Sequence, residues 1–143
     1  MTAAVLAGLG VCLQLAAAPQ VPAQFIPTTQ FTLAWTHTIE KVRWEEDYRV
    51  LISPQGQAVL HATQARIKGA AAGMEPPNDA RWHNGWYVYS PTESHPQQLP
   101  LMRSVYSADY EWCEHGRCVP MSAKMPSDGD LTLLQACTAP AEF

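Results

Sequence analysis

The sequence predicts an all-β protein, a small antiparallel sandwich or barrel of about seven to nine strands after an apolar N-terminal segment. Short runs rich in β-branched and aromatic residues recur along the chain, and turn-forming residues separate them. The clearest turn is Asn84-Gly85, since both residues tolerate the positive φ values of a type I′ hairpin turn. Beyond residue 30, no stretch keeps the period of an amphipathic helix. We expect strands at 31–39, 44–52, 58–67, 86–90, 99–106 and 130–136, with a hairpin over 110–121.

Length and composition favour one folded domain. The chain has 143 residues, of which 47% are hydrophobic and 15% charged, so it is long enough to bury a core and too short for a second module. Its net charge is -4 and its Lys and Arg residues form no cluster, so the attraction on which nucleic-acid binding depends is missing. We therefore expect no nucleic-acid partner.

The N-terminal segment has the length and apolarity of a secretory signal. Residues 2–18 are uncharged and consist mostly of Ala, Leu, Val and Gly, a run too short and interrupted for a comfortable membrane span. No Lys or Arg precedes Lys41, although a signal peptide normally opens with a positive region. Cleavage after Ala18 or after Ala23 would fit the sequence. The alternative is a buried N-terminal helix of a cytosolic protein.

This segment sets the expected boundaries and location. We expect residues 1–23 to be a signal peptide or an apolar N-terminal segment, and residues 24–143 to form a single β domain. The protein would then be periplasmic or otherwise extracytoplasmic, and it would contact a membrane only through the N-terminal segment if that segment is not cleaved.

Cys113 and Cys118 predict a disulfide across a hairpin. They bracket a four-residue loop between two strand-like runs, which makes them cross-strand neighbours at a separation that a disulfide spans. An oxidising compartment would close this bond.

A metal site is the alternative use of these cysteines. Its ligands would be Cys113, His115, Cys118 and the distant Cys137, but zinc sites favour closer Cys spacing and a second ligand pair. We therefore expect no metal there. If Cys12 leaves with the signal, Cys137 is either a free thiol or a competitor for one of the other two cysteines.

Alternating apolar residues between Phe31 and Ile52 predict a hairpin and its register. The apolar residues carry odd numbers in the first strand and even numbers in the second. Paired residue numbers must therefore sum to an odd value if both apolar faces point the same way. A sum of 83 leaves a four-residue loop, 40–43, and places His37 opposite Glu46.

The predicted pair of His37 and Glu46 would lie on an otherwise apolar face. An unpaired charge is costly there, whereas a hydrogen-bonded imidazole and carboxylate are tolerated, so a structural hydrogen bond at the rim of the core is one interpretation. The other is a site, in which His37 is a general base, a metal ligand or a pH-sensitive binding group. Glu40, Glu45 and Asp47 lie nearby in sequence, and Glu40 joins the pair as a candidate binding residue.

The loop over 69–80 supplies the remaining candidate binding residues. Gly73 would let the backbone approach a ligand closely, and Met74 and Glu75 would stand at the tip of the loop. The alternative is an ordinary connection between strands, the commoner use of Gly and of a Pro pair.

Several motifs together resemble one bacterial family. The first is Thr36-His37-Thr38-Ile39-Glu40-Lys41, preceded by Phe31 and Trp35 and followed by Trp44-Glu45-Glu46 and Tyr48. The others are the Ala72-Gly73-Met74-Glu75-Pro76-Pro77 loop and a Trp-Cys-x-x-Gly-x-Cys hairpin ending at Cys118. Over residues 30–137 the chain resembles the uncharacterised family catalogued as domain of unknown function 1850, and the His37 motif is the most specific part.

The resemblance implies a location and a partner, but no reaction. Family members are typically exported, and their genes often adjoin those of TAXI-type tripartite (TRAP) transporter permeases. The implied partners are therefore a TRAP permease or its solute-binding protein. The resemblance names no catalytic residue.

We expect an exported accessory or binding module of unknown ligand, associated with a TAXI-type TRAP transporter. The alternatives are a small periplasmic enzyme in which Glu46 orients His37 as the base, and a metal-binding protein that uses His37 with Glu45, Glu46 or Asp47. No nucleophile or cofactor motif is visible in the sequence, which favours a protein that is not an enzyme and has no cofactor.

Overall fold

The computed structural model describes residues 8–36, 41–69, 79–91 and 96–139, which form two packed antiparallel sheets. The strands are β1 (Leu9–Leu15), β2 (Gln24–Pro27), β3 (Gln30–Thr36), β4 (Arg43–Ile52), β5 (Ala58–Lys68), β6 (Arg81–His83), β7 (Trp86–Tyr89), β8 (Leu99–Met102), β9 (Glu111–Glu114), β10 (Arg117–Pro120) and β11 (Leu131–Thr138). A 3₁₀ turn, Met121–Ala123, follows β10. The predicted all-β sandwich is confirmed, although the described residues form eleven strands rather than the expected seven to nine, and their sheets do not close into a barrel.

The core lies between a four-stranded and a seven-stranded sheet. The smaller sheet has the order β2-β1-β11-β8 and the larger sheet the order β10-β9-β3-β4-β5-β7-β6. Strands β5 and β4 of the larger sheet contact β11 and β1 of the smaller one, and their buried side chains form one apolar cluster. In the part of the chain that the structure describes, no helix is long and apolar enough to cross a membrane.

The N-terminal apolar run forms a core strand. β1 pairs with β11 over its whole length and with β2 on its other side, and Val11 and Leu13 are completely buried. The described fold therefore begins before residue 24, where the domain was expected to start, and the alternative of an N-terminal helix is wrong for Leu9–Leu15. A short apolar run fits a strand buried in a sandwich as well as a signal segment. Cleavage after residue 23 stays a prediction, and it would remove β1.

The register of β3 against β4 differs from the predicted one. Phe31 lies opposite Tyr48 and Leu33 opposite Glu46, so the paired numbers sum to 79 rather than 83. The prediction of an odd sum is confirmed, but its value was wrong by four residues. The described part of β3 is Gln30–Thr36, and the predicted end of the strand at residue 39 lies outside the described residues. The expected pairing of His37 with Glu46 is therefore wrong, since Leu33 occupies that place.

The reason for this error is that period-two alternation fits every odd sum equally well. The sequence prediction chose a short loop, whereas the structure gains aromatic pairs across the strands. Phe31 stacks on Tyr48 with 5.3 Å between ring centroids, and Trp35 stacks on Trp44 at 6.0 Å. Such pairs stabilise a register beyond what the burial of their area provides.

The β6–β7 and β9–β10 hairpins each have two turn residues with positive φ. Asn84 and Gly85 have φ values of 50° and 89°, which confirms the turn predicted between β6 and β7. His115 and Gly116 have φ values of 54° and 77° and form a two-residue turn between β9 and β10, shorter than the expected loop of four. The predicted strand over 99–106 ends at Met102.

Two disulfides join the cysteines. Cys113 and Cys118 face each other across the β9–β10 hairpin and form the predicted bond. Cys12 of β1 bonds to Cys137 of β11, so Cys137 is neither free nor a competitor for the hairpin cysteines. The alternative metal site that combined Cys137 with the hairpin is wrong, because all of its thiols are in disulfides.

The two disulfides should differ in their effect on stability. Cys12 and Cys137 are 125 residues apart, and Cys113 and Cys118 are 5 apart. Because a longer closed loop restricts the unfolded chain more, replacing Cys12 and Cys137 by Ala should lower the free energy of unfolding by about 5 kcal/mol, against about 2 kcal/mol for the hairpin pair. Urea unfolding of both double variants measures this difference, and equal losses would contradict it.

A chain that begins at Gln24 should not fold. It lacks Leu9, Val11, Leu13 and Leu15, all buried, and each such side chain contributes about 1.5 to 3 kcal/mol. Their sum is comparable to the whole stability of a small domain. We expect no cooperative urea transition by circular dichroism for this chain, and a normal transition for one that begins at Gly8. Equal midpoints for the two would show that β1 is dispensable.

Candidate binding site between the sheets

Glu46 carries its carboxylate on the inner face of the larger sheet. It shares that face of β4 with Trp44 and with the buried Tyr48, whose hydroxyl donates a hydrogen bond of 2.6 Å to Glu46 Oε1. Among the described residues no cationic side chain forms a salt bridge with Glu46. The half-buried carboxylate therefore lies beside an apolar core without a salt-bridge partner from the described chain.

The pairing of β5 with β4 shifts by one residue beside Glu46, and this shift places an alanine opposite both Tyr48 and Glu46 on the inner face. Tyr48 pairs with Ala62, whereas Glu46 pairs with Ala65, because the register shifts between Asp47 and Tyr48. This β-bulge gives β5 one more residue than β4 at that point. Bulges often lie next to functional sites because they re-aim side chains locally.

The carboxylate borders two adjacent cavities. One has a volume of about 240 Å³ and the other about 310 Å³. Glu46, Tyr48 and Leu99 line both, and we call the two together the inter-sheet cleft. Leu33, Trp35, Pro100, Leu101 and Tyr110 complete the first cavity, and Ala62, Tyr89, Pro91 and Pro96 complete the second.

Four aromatic side chains stand among the Leu, Pro and Ala residues that line the inter-sheet cleft. Trp35 packs on Tyr110 with 5.8 Å between ring centroids and stacks on Trp44 on its other side. Trp35, Tyr89 and Tyr110 are all half-buried, so part of each ring is open to an occupant. Rings of this kind provide large apolar contact area and electron-rich faces.

The charge of Glu46 affects the pKa values of the three tyrosines that line the inter-sheet cleft. Burial raises the pKa of Tyr48, and the negative charge of Glu46 and the hydrogen bond to it raise that pKa further. Burial and then the charge of Glu46 also raise the pKa of Tyr89 and of Tyr110 above the ordinary value. The three phenols therefore remain neutral hydrogen-bond donors at neutral pH.

An ion pair between a buried arginine and a partly exposed aspartate positions Tyr110. The side chain of Arg103 is completely buried and binds Asp109 through two hydrogen bonds of 2.9 and 2.8 Å. Asp109 also accepts a hydrogen bond from the backbone N–H of Tyr110, and the carbonyl of Tyr110 accepts one from Met121. These contacts tie the segment between β8 and β9 to Arg103 on one side and to Met121 on the other. They hold Tyr110 at the inter-sheet cleft.

Glu45 and Asp47 lie on the opposite, outer face of the sheet. Arg66 donates to both carboxylates at 2.6 to 3.0 Å, and Arg43 joins Glu45 to Glu111 at 2.7 Å. A cavity of about 480 Å³ lies over these paired charges and the Cys113–Cys118 bond. The structure thus places Glu45 and Asp47 on the face opposite to Glu46. The metal-binding alternative needs His37, which lies outside the described residues, so it stays a prediction.

The other residues predicted for the site cannot be placed. His37, Glu40, Gly73, Met74 and Glu75 lie outside the described residues, and their roles stay predictions. Of the candidate binding residues, the structure locates Glu46.

Sequence reasoning missed the aromatic partners of Glu46. Trp35 and Tyr48 could have been predicted, since the alternation places both on the same apolar face as Glu46. Tyr89 and Tyr110 could not have been predicted from local sequence, because strand order brings them to Glu46 from distant parts of the chain.

The fold and the inter-sheet cleft define a two-sheet β protein that holds one carboxylate among aromatic rings between its sheets. The family model described as "Domain of unknown function (DUF1850)" matches residues 31–121, which include every aromatic residue named in the cleft. The chain belongs to this family, as its motifs predicted. No curated protein and no solved structure shows a significant match.

Replacing Glu46 by Gln should lower the pKa of Tyr89 and Tyr110 toward the ordinary value. The substitution removes the negative charge but leaves the burial that is the larger cause of each shift. Carbon-13 NMR of the tyrosine ring carbons, followed against pH, measures the change. Glu111→Gln removes the same charge from the outer face and should leave both values as they are. Identical titrations in Glu46→Gln and the original protein would contradict the assignment.

Proposed function

We propose that this protein is an exported, non-catalytic module that binds a small ligand in the inter-sheet cleft and serves a TAXI-type TRAP transporter as an accessory. The observation that carries the binding proposal is the Glu46 carboxylate, half-buried between aromatic walls and without a salt bridge among the described residues. Small-molecule sites typically combine apolar walls with a few fixed polar groups.

The chemistry of the described lining favours binding over catalysis. Its polar side chains are one carboxylate and three phenols, and it contains no Ser, Thr, Cys or His. Nucleophilic catalysis needs an activated nucleophile beside a base. The alternative enzyme, with His37 oriented by Glu46, loses its geometric basis because Leu33 pairs with Glu46.

Two observations support the location and the partner. Both disulfides are consistent with an oxidising, extracytoplasmic compartment, in which such bonds persist. Membership of the family supports the transporter association, since family members are expected beside TAXI-type permeases.

Uptake assays in a strain that lacks the gene test the binding proposal. The solute imported by the neighbouring transporter is first identified by comparing this strain with its parent. The original gene, returned to this strain, should restore uptake of that solute. The Glu46→Gln variant should restore about tenfold less, the loss expected for one hydrogen bond to a charged group. Glu111→Gln, matched in chemistry and on the outer face, should restore uptake fully. Equal uptake with the two variants would rule out a role for the inter-sheet cleft.

Co-purification from native membranes tests the accessory role. The tagged protein should retain the permease or the solute-binding protein of the transporter after crosslinking. An unrelated exported protein with the same tag is the control. Recovery no better than with this control would count against the association, whatever the uptake assays show.

A further inference from the structure

We infer that the ligand of the inter-sheet cleft carries an organic ammonium group, which binds against the Glu46 carboxylate. This inference rests on the proposed binding function and names the ligand class.

The first argument is the unequal pairing of neighbouring carboxylates. Glu45 and Asp47, on either side of Glu46 in sequence, both bind Arg66 on the outer face. Glu46 receives one neutral hydrogen bond, from Tyr48 to Oε1, and no described residue donates to its Oε2. A carboxylate beside a core gains most from a cation that approaches its open oxygen, because the low-polarity surroundings strengthen the attraction.

The second argument is the kind of surface that lines the two cavities beside Glu46. The walls contain the rings of Trp35, Tyr48, Tyr89 and Tyr110. Aromatic faces attract organic cations, and quaternary ammonium groups are typically held in cages of such rings. An anion would meet the charge of Glu46 unscreened, and a neutral group would leave that charge without a partner.

The third argument is size and ligand count. Each cavity, at about 240 and 310 Å³, accommodates a small organic ammonium. Calcium typically takes about six to eight oxygen ligands. Within the described ranges there is no group of three or more His, Cys, Asp or Glu side chains placed to hold a metal ion.

The other large cavities lack this combination. The outer cavity of about 480 Å³ is bordered by Glu45 and Asp47, which Arg66 binds, and by Glu114, both of whose oxygens accept hydrogen bonds, from Thr28 and from the Trp112 indole. A groove of about 660 Å³ beside the β4–β5 turn is lined by aliphatic and uncharged side chains, among them Leu51, Val59 and Gln135.

Isothermal titration with shape-matched probes tests the inference. Choline is compared with 3,3-dimethylbutan-1-ol, in which carbon replaces the charged nitrogen, and with 3,3-dimethylbutanoate, which carries the opposite charge. Choline should bind the original protein at least about tenfold more tightly than the alcohol, and the anion should not bind. This preference should fall below about threefold in Glu46→Gln and persist in Glu111→Gln.

A measurement on the unaltered protein covers the case in which Glu46→Gln does not fold. In NMR spectra, choline should shift the indole signal of Trp35 and the ring signals of Tyr110. It should leave Trp82, which is exposed on the short strand β6, unchanged. Shifts at Trp82 alone would place the cation elsewhere and overturn the inference.

Three results of the titration would overturn the inference: equal affinity for choline and the alcohol, an unchanged preference in Glu46→Gln, or no binding of choline. The uptake assay judges the proposed function separately. If Glu46→Gln loses uptake while the alcohol binds as well as choline, the binding function stands and the cationic assignment fails. If Glu46→Gln supports full uptake, the binding function itself fails.

Discussion

The pairing of Phe31 with Tyr48 is the constraint on which the other features of the candidate site depend. Side chains alternate between the two faces of a strand, so this one pair decides which face every residue of β4 occupies. The ring of Phe31 is stacked between Tyr48 at 5.3 Å and Trp112 of β9 at 4.3 Å. A slip of β4 by one residue against β3 would break the contact of Phe31 with Tyr48 and move Glu46 to the outer face.

The same alternation gives the larger sheet two faces with different electrostatics. On the outer face, Arg43 and Arg66 neutralise most of the charge of Glu45, Asp47 and Glu111 within the protein itself. On the inner face, Glu46 raises the pKa of the surrounding tyrosines in place of being neutralised by a cation of the described chain. An internally paired face is suited to solvent, whereas the charge of the inner face is available to an occupant.

The sequence contained the fold class and one half of the site. The Asn84-Gly85 turn and the apolar alternation predicted an antiparallel β fold, and the parity argument correctly put Glu46 on the apolar face. The argument could not choose among odd register sums, because each of them satisfies the alternation. It therefore paired Glu46 with His37, where the structure has Leu33.

Two other features were beyond local sequence reasoning for a similar reason. Leu9–Leu15 has the composition of a signal segment, and only its pairing with β11 identifies it as a core strand. Tyr89 and Tyr110 approach Glu46 from β7 and from the segment before β9, so their place in the site depends on strand order. The chemistry of the candidate site is thus a property of the topology rather than of one motif.

The most direct test of this account is the register itself. In a carbon- and nitrogen-resolved NOE spectrum of the full chain, cross-strand contacts should link Phe31 with Tyr48 and Leu33 with Glu46. Contacts of Leu33 with Val50 and of Phe31 with Ile52 would show the register predicted from sequence instead. They would contradict the placement of Glu46 beside Leu33, on which the candidate site depends.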